Sequence, residues 1–247
     1  MRIGDAYGEM VLAALDGLAP VEIVERDDGF VGAGMIGAEG YFAPFRRWPA
    51  VERRAMRFVR GRVLDVGCGA GRVALHLQER GQQVVAIDVS PGAVEVCRRR
   101  GVRDVRLLSI DDVDGSLGEL DTIVMLGVNF GLFASAAKAR RLLRRFHRLT
   151  SARGRIVASS NDVYRTDDPN HLAYHERNRS RGRMAGQLRL RVRFRDVATP
   201  WFDYLIVSKD ELRELAAGAG WQVARILEDD GPLYVGVLEK ASPTSQR

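Results

Sequence analysis

"VLDVGCGAGR", residues 63–72, sets three glycines at alternate positions directly after an apolar run that ends in an acid, Asp65. A backbone that bare at a strand–helix junction lets a ligand approach the main chain, and the first helical turn offers free N–H groups. The expected ligand is anionic or nucleotide-like, held at Gly67, Cys68, Gly69 and Gly71. A dinucleotide fingerprint, G-x-G-x-x-G, needs glycine at position 72, where Arg72 stands, and the third glycine comes one residue early. Asp65 adds a second difference, because a carboxylate there suits an amino-acid ammonium better than a pyrophosphate.

Working outward from the loop, short apolar runs alternate with amphipathic segments. "RVLDVG" (62–67) reads as a buried strand and "GRVALHLQERG" (71–81) as a helix stopped by glycine. "QQVVAIDVS" (82–90) is the next strand, after which Ser90 caps a helix with Pro91 in its first turn. "VRLLSI" (105–110) and "DTIVMLGV" (121–128) follow as strands, then an arginine-rich helix over 135–149 and the strand "GRIVASS" (154–160). Such alternation predicts a parallel sheet with helices on both faces. Toward the C-terminus, "SKDELRELAAGAG" (208–220) opens with a capping box. "WQVARILED" and "PLYVGVLEK" are joined only by Asp230-Gly231, which demands an antiparallel pair.

Two regions fall outside this pattern. Residues 1–60 precede the first core strand and predict a helical cap, with helices near 5–16 and from about Pro49 to Arg60 around the glycine-rich "GFVGAGMIGAEG" (29–40). Residues 162–204 read as an insertion: a polar segment, then "LRLRVRFRDVATPWFDYLIV" (188–207) as two strands around a turn near Thr199-Pro200. The tail "ASPTSQR" (241–247) is expected to be disordered.

Composition narrows the field further. With 247 residues and 46% hydrophobic content, the chain can bury a full core as one domain. No run of eighteen apolar residues occurs, so no membrane span is expected, and the N-terminus lacks a signal pattern, which makes a cytoplasmic protein the default. The net charge of +6 is carried almost wholly by arginine and carries little functional weight. Two cysteines, Cys68 and Cys97, are a poor basis for a disulfide framework or metal site, and no metal is expected.

Taken together, the acid followed by G-x-G-x-G at 65–71, the acid Asp88 ending the second strand, and the C-terminal antiparallel hairpin resemble the class I S-adenosylmethionine-dependent methyltransferases. The resemblance covers roughly 60–160 and 205–240. It implies a Rossmann-like, doubly wound, seven-stranded, mostly parallel α/β sheet with an antiparallel last strand. Residues 61–161 and 205–240 would form the core that binds S-adenosylmethionine, leaving S-adenosylhomocysteine as product, and 162–204 a helix/hairpin lid. Asp65 and Gly67 to Gly71 would cradle the methionine end, Asp88 the ribose, Val89 the adenine face and Asp111 the adenine amine, with Asp112 not distinguished from Asp111.

Ligands of open parallel sheets bind beyond the carboxyl ends of the strands. Substrate contacts are therefore expected from the N-terminal cap (Tyr41, Phe42), the loop "GVNFGLF" (Asn129, Phe130) and the insertion (Tyr164, His171, His175, Trp201). Asn129 can orient an acceptor N–H or simply form a turn before Gly131. His171 and His175, four apart, can supply a base or be solvated surface histidines. Strict alternation puts Arg189, Arg191, Arg193 and Arg195 on one strand face, a solvated edge or an anion-reading lid, and the aromatics that follow, Trp201, Phe202 and Tyr204, are expected at the pocket. The expected reaction is methyl transfer to nitrogen or oxygen of a small molecule or short peptide, catalysed by proximity and orientation. A homodimer is compatible with this reading, whereas a membrane partner is not expected. A nucleic-acid methyltransferase is disfavoured because the loop lacks an N-P-P-Y pattern, and a non-catalytic cofactor-binding protein is the other alternative.

Overall fold

Four of the five residues of Arg62–Val66 (β4) are buried, because this strand runs through the middle of a sheet covered on both faces. In the computed structural model, which describes residues 1–34 and 37–241, Leu64 and Val66 face Ile123, Met125 and Phe133 on one side. Val63 faces Val124, Val157 and Val235 on the other, where Trp48 and Val51 also pack. Parallel neighbours are Gln83–Asp88 (β5), Val105–Leu107 (β6), Leu120–Met125 (β7) and Thr150–Asn161 (β8). Leu233–Lys240 (β13) runs antiparallel to β8 and to Trp221–Glu228 (β12). Among the described residues the order of this seven-stranded sheet is β12-β13-β8-β7-β4-β5-β6, the doubly wound arrangement in which the last strand of the chain, β13, runs antiparallel between β8 and the edge strand β12.

The remaining strands change the expected picture of the N-terminus. Arg2–Ile3 (β1), Ile23–Arg26 (β2) and Val31–Ala33 (β3) flank the helix Ala6–Leu15 (α1). They join Gln187–Phe194 (β9), Val197–Ala198 (β10) and Phe202–Leu205 (β11) in a second, six-stranded sheet among the described residues. The cap is thus as much strand as helix, and it shares its sheet with the insertion. The insertion holds three strands instead of a simple hairpin: the chain reverses at Arg195-Asp196, where Arg195 has φ 52°, and β11 returns to the far end of β9. β9 is therefore interior, hydrogen-bonded to β2 on one side and to β10 and β11 on the other, and its arginines do not lie on an edge. The helix expected over Pro49–Arg60 is shorter, Ala50–Ala55 (α3), continued by a 3-10 turn at Met56–Phe58.

Specific contacts lock the two layers together. α1 crosses Pro91–Arg99 (α5) so closely that a Cβ on Gly92 would lie 2.6 Å from the Gly8 backbone. The Asp5 carboxylate caps α1 and also accepts from Ser90 Oγ (2.8 Å) and the Gly92 N–H (2.9 Å). On the far side Arg26 forms a two-pronged pair with Asp28 (2.8 and 2.7 Å) and lies 4.1 Å over the ring of Tyr174, in helix Pro169–Ser180 (α7). The tail beyond Ala241 lies outside the described residues, as do Met35 and Ile36 in the glycine-rich stretch. Among the described residues no helix is long and apolar enough to cross a membrane.

Candidate functional site

The carboxyl ends of β4 to β8 open onto a cavity of about 1190 Å³, walled on its far side by residues of β2, β9 and β11. The glycine loop forms its floor. Gly67 (φ 69°) and Gly69 (φ 55°) are both left-handed, a conformation that costs little only for glycine. A Cβ on Gly67 would lie 2.7 Å from the Asn129 side chain, and one on Gly69 would lie 2.6 Å from the Tyr7 hydroxyl. Asn129 braces the loop by donating its amide N–H groups to the carbonyls of Val66 (3.0 Å) and Gly67 (2.8 Å). From the other side, the Gly69 N–H (2.9 Å) and the Ser90 N–H (3.0 Å) donate to the Asp88 carboxylate. Gly71 departs from expectation. It does not reach the cavity wall, and its missing Cβ instead lets Arg72–Glu79 (α4) start against Val102 (2.8 Å) and Cys97 (2.9 Å). Val89 and Cys68 do reach the wall.

Of the acids that line the cavity, the three at the ends of β4, β5 and β6 are under different constraints. Asp65 is 2% exposed, and its Oδ2 has no hydrogen-bond partner among the described residues. Burial pushes its carboxyl up to about 7 against the opposing charge of Arg72. Arg72 cannot neutralise it fully, because its guanidinium pairs with buried Glu52 (2.7 Å) and stacks on Trp48 (4.6 Å). Asp88 is also raised by burial, its backbone hydrogen bonds working against the shift. Asp111, expected at an adenine amine, lines the cavity. Its carboxylate is bound to Lys138 (2.5 Å) and Arg141 (2.8 Å) on helix Ala136–Leu149 (α6), and although burial opposes ionisation these cations hold it below the usual range. Asp112 does not line the cavity.

Apart from Phe202 and Tyr204, the opposite wall is built from residues that no motif announced. Glu22, Tyr7, Val24, Arg26, Phe30, Leu190, Val192, Phe202 and Tyr204 all face the cavity, alongside the expected Tyr41, Asn129, His171 and His175. Two signals bore on this wall: the 188–195 alternation, which puts Leu190 and Val192 inward, and the aromatics after it, of which Phe202 and Tyr204 reach the cavity. His175 is buried, and burial lowers its pKa, so it is not a solvated surface histidine. His171 hydrogen-bonds Thr166 (3.3 Å) and meets the Phe30 ring edge-on. Four expected substrate contacts do not reach the cavity. Phe42 lies beneath the Arg100 guanidinium, and Phe130 packs in the core against Phe133. Tyr164 is exposed and donates to Glu211 (2.9 Å), and Trp201 lies under Arg191 (4.6 Å) on the outer arginine face.

Above the loop, Val128 adopts φ 67°, which is strained for a β-branched residue. Its N–H donates to Ser159 Oγ (2.7 Å) and its carbonyl accepts from the Tyr204 hydroxyl (2.8 Å), so the strain is held from both layers.

Residues 63–154 match the family model of a methyltransferase domain. Among curated proteins, the ubiquinone biosynthesis O-methyltransferase of Methylocella silvestris is 36% identical over 83 residues, 31% of this chain and 32% of that protein. The magnesium-protoporphyrin O-methyltransferase of Rhodobacter capsulatus is 35% identical over 69 residues, 26% and 31% of the two chains. The match thus spans about a third of the length of these relatives. Among solved structures, a methyltransferase from Bacteroides fragilis in complex with S-adenosyl-L-homocysteine superposes with a TM-score of 0.81 at 28% identity, covering 96% of this chain and 95% of that one. The CcbJ methyltransferase from Streptomyces caelestis shares the fold, with a TM-score of 0.65 at 15% identity and coverage of 96% and 98%.

Proposed function

From the premise that the chain belongs to the class I S-adenosylmethionine-dependent methyltransferases, we propose that it transfers a methyl group to nitrogen or oxygen of a small molecule enclosed between the two sheets. The observation that carries this reading is the cavity itself. At about 1190 Å³ it exceeds the roughly 300–1,000 Å³ of ordinary ligand pockets. That is space for a cofactor and a small acceptor side by side, and a nucleic-acid strand would need an open groove instead.

The residues present fit the cofactor. Asp65, buried and short of a partner, is a counter-charge for an amino-acid ammonium, and the Gly67–Gly69 backbone leaves a cradle that any Cβ would fill. Asp88, fixed by two N–H donors, accepts from ribose hydroxyls, while Val89 and Ile110 supply apolar wall for an adenine. When bound, S-adenosylmethionine supplies a methyl group on a sulfonium with a good leaving group. The protein's task is then to hold the acceptor in line and exclude water. The second sheet does both, and Asn129, Tyr41 and His175 line the chamber on the acceptor side. Binding of S-adenosylhomocysteine, followed by mass-spectrometric detection of methylated products across small-molecule amines, phenols and alcohols, tests the reading. Cofactor binding without turnover of any acceptor would favour a non-catalytic cofactor-binding protein.

A further inference from the structure

Resting on that methyltransferase reading, we propose that the acceptor is an amine with an apolar body, and that Glu22 selects it and takes its proton. Glu22 is 6% exposed and lies on the cavity wall. Its carboxylate accepts from the single hydroxyl of Tyr41 (3.2 and 3.1 Å), and among the described residues it makes no ion pair. Of the other wall acids, Asp111 is paired with Lys138 and Arg141 and Asp203 with Arg189, Asp5 accepts from Ser90 and Gly92, Asp88 accepts from two backbone N–H groups, Asp162 accepts from the Tyr164 N–H, and Asp65 lies at the glycine loop against the charge of Arg72. Space is kept for the Glu22 carboxylate by Gly34, where a Cβ would fall 1.8 Å from Oε2.

The surroundings suit a cation. Tyr7 stands edge-on to Tyr41 (centroids 5.3 Å, 78°), and Tyr204 completes an aromatic group around the acid. Aromatic faces beside a desolvated carboxylate attract an ammonium through both ring quadrupole and charge. Because the Tyr7 hydroxyl abuts Gly69, this group adjoins the glycine loop, where the methyl donor belongs. Beyond it, Val24, Leu190, Val192 and Phe202 offer an apolar bed for the rest of the molecule. A neutral alcohol would leave the buried carboxylate uncompensated, and an anionic acceptor would be repelled.

The proton balance follows. The amine enters as an ammonium, and Glu22 takes one proton, freeing the nitrogen lone pair. That lone pair forms the N–C bond as the C–S bond breaks, the bonding electrons staying on sulfur. The methylated nitrogen leaves as an ammonium, and Glu22 returns its proton to solvent.

Calorimetry on the full chain saturated with S-adenosylhomocysteine tests this with three probes of one shape: 2-phenylethylamine, 2-phenylethanol and 4-ethylphenol. The amine is expected to bind at least about tenfold more tightly than either hydroxyl probe. Glu22→Gln should erase that preference while keeping S-adenosylhomocysteine affinity, which also reports that the variant is folded. Tyr41→Phe, which removes only the hydroxyl, should keep the preference. Equal or tighter binding of the alcohol or phenol, binding of no probe, or a preference that survives Glu22→Gln overturns the proposal. If S-adenosylhomocysteine binds normally in those cases, only the amine assignment fails. Failure of S-adenosylhomocysteine itself to bind would remove the methyltransferase reading and this inference with it.

Discussion

Asp65 and Asp88 sit on neighbouring strand ends, and burial drives both toward the protonated form. The Asp65 carboxyl titrates at about 7 in the folded chain, against about 3.9 when unfolded. The folded state therefore holds the extra proton: the stabilising contribution is complete below about pH 4 and is lost as pH rises through about 7. Between about pH 5 and pH 8, urea unfolding should show wild type losing more stability than Asp65→Asn, and parallel curves would exclude Asp65 as the cause. A bound ammonium should hold the carboxylate ionised. Calorimetry at about pH 6, in buffers of different ionisation enthalpy, should then detect proton release on S-adenosylhomocysteine binding in wild type but not in Asp65→Asn. Asp88→Ala should weaken S-adenosylhomocysteine by about 1.5–3 kcal/mol, the range for hydrogen bonds to a charged group. Unchanged affinity in a folded variant would take Asp88 out of the site. The glycines separate by role. Gly69→Val should abolish cofactor binding, since its Cβ would meet Tyr7, whereas Gly71→Ala should cost about 1–3 kcal/mol in urea unfolding through crowding of Cys97 and Val102. Asp65, Gly67, Gly69 and Asp88 were legible because strand end, loop and helix start are consecutive in the chain. Glu22 and Tyr7 were not, because nothing local marks them, and only the pairing of β2 with β9 and the crossing of α1 over α5 bring them to the cavity.

At the scale of the element, β9 shows how much an alternating pattern conveys and where it stops. Its two faces follow from the sequence alone: Leu190 and Val192 toward the cavity, Arg189, Arg191 and Arg193 away from it. What offsets the like charges was not readable, because the partners come from strands distant in the chain. Glu25 on β2 binds Arg191 through two hydrogen bonds (2.9 and 3.0 Å) and also meets Arg193 (3.4 Å), while Asp203 on β11 pairs with Arg189 (3.3 Å). The Glu25–Arg191 pair is mostly covered, so it counts for more than a surface ion pair, whereas Arg189–Asp203 is more exposed. Glu25→Ala leaves two arginines side by side without their acid, and should lower stability by on the order of 1–3 kcal/mol. It should also speed amide exchange in β2. A variant whose β2 exchanges at the wild-type rate would show that backbone pairing alone holds the strand. The N-terminal strands escaped the sequence reading for a related reason: β2 and β3 are four and three residues long and carry no sustained alternation.

Across the whole molecule, the cavity belongs to two sheets at once, so a ligand on the floor should be felt in the opposite wall. S-adenosylhomocysteine is expected to slow amide exchange in α1 and β2 as well as at 65–90, because Tyr7 meets Gly69 and Asp5 holds the start of α5. Protection confined to 65–90 would mean that the layers respond independently. The same two-sheet construction has a consequence during synthesis. Ile23 pairs with Arg193, and Arg2 with Val197, so the N-terminal strands must wait for their partners while the intervening chain is made. At about 5–20 residues per second that interval is roughly ten to forty seconds. In that interval the apolar side of Met10, Val11 and Val24 has no partner strand to cover it, while β4 to β8 become available to assemble one after another. The apolar side of α1 and β2 is thus covered late, when β9 emerges and closes the second sheet.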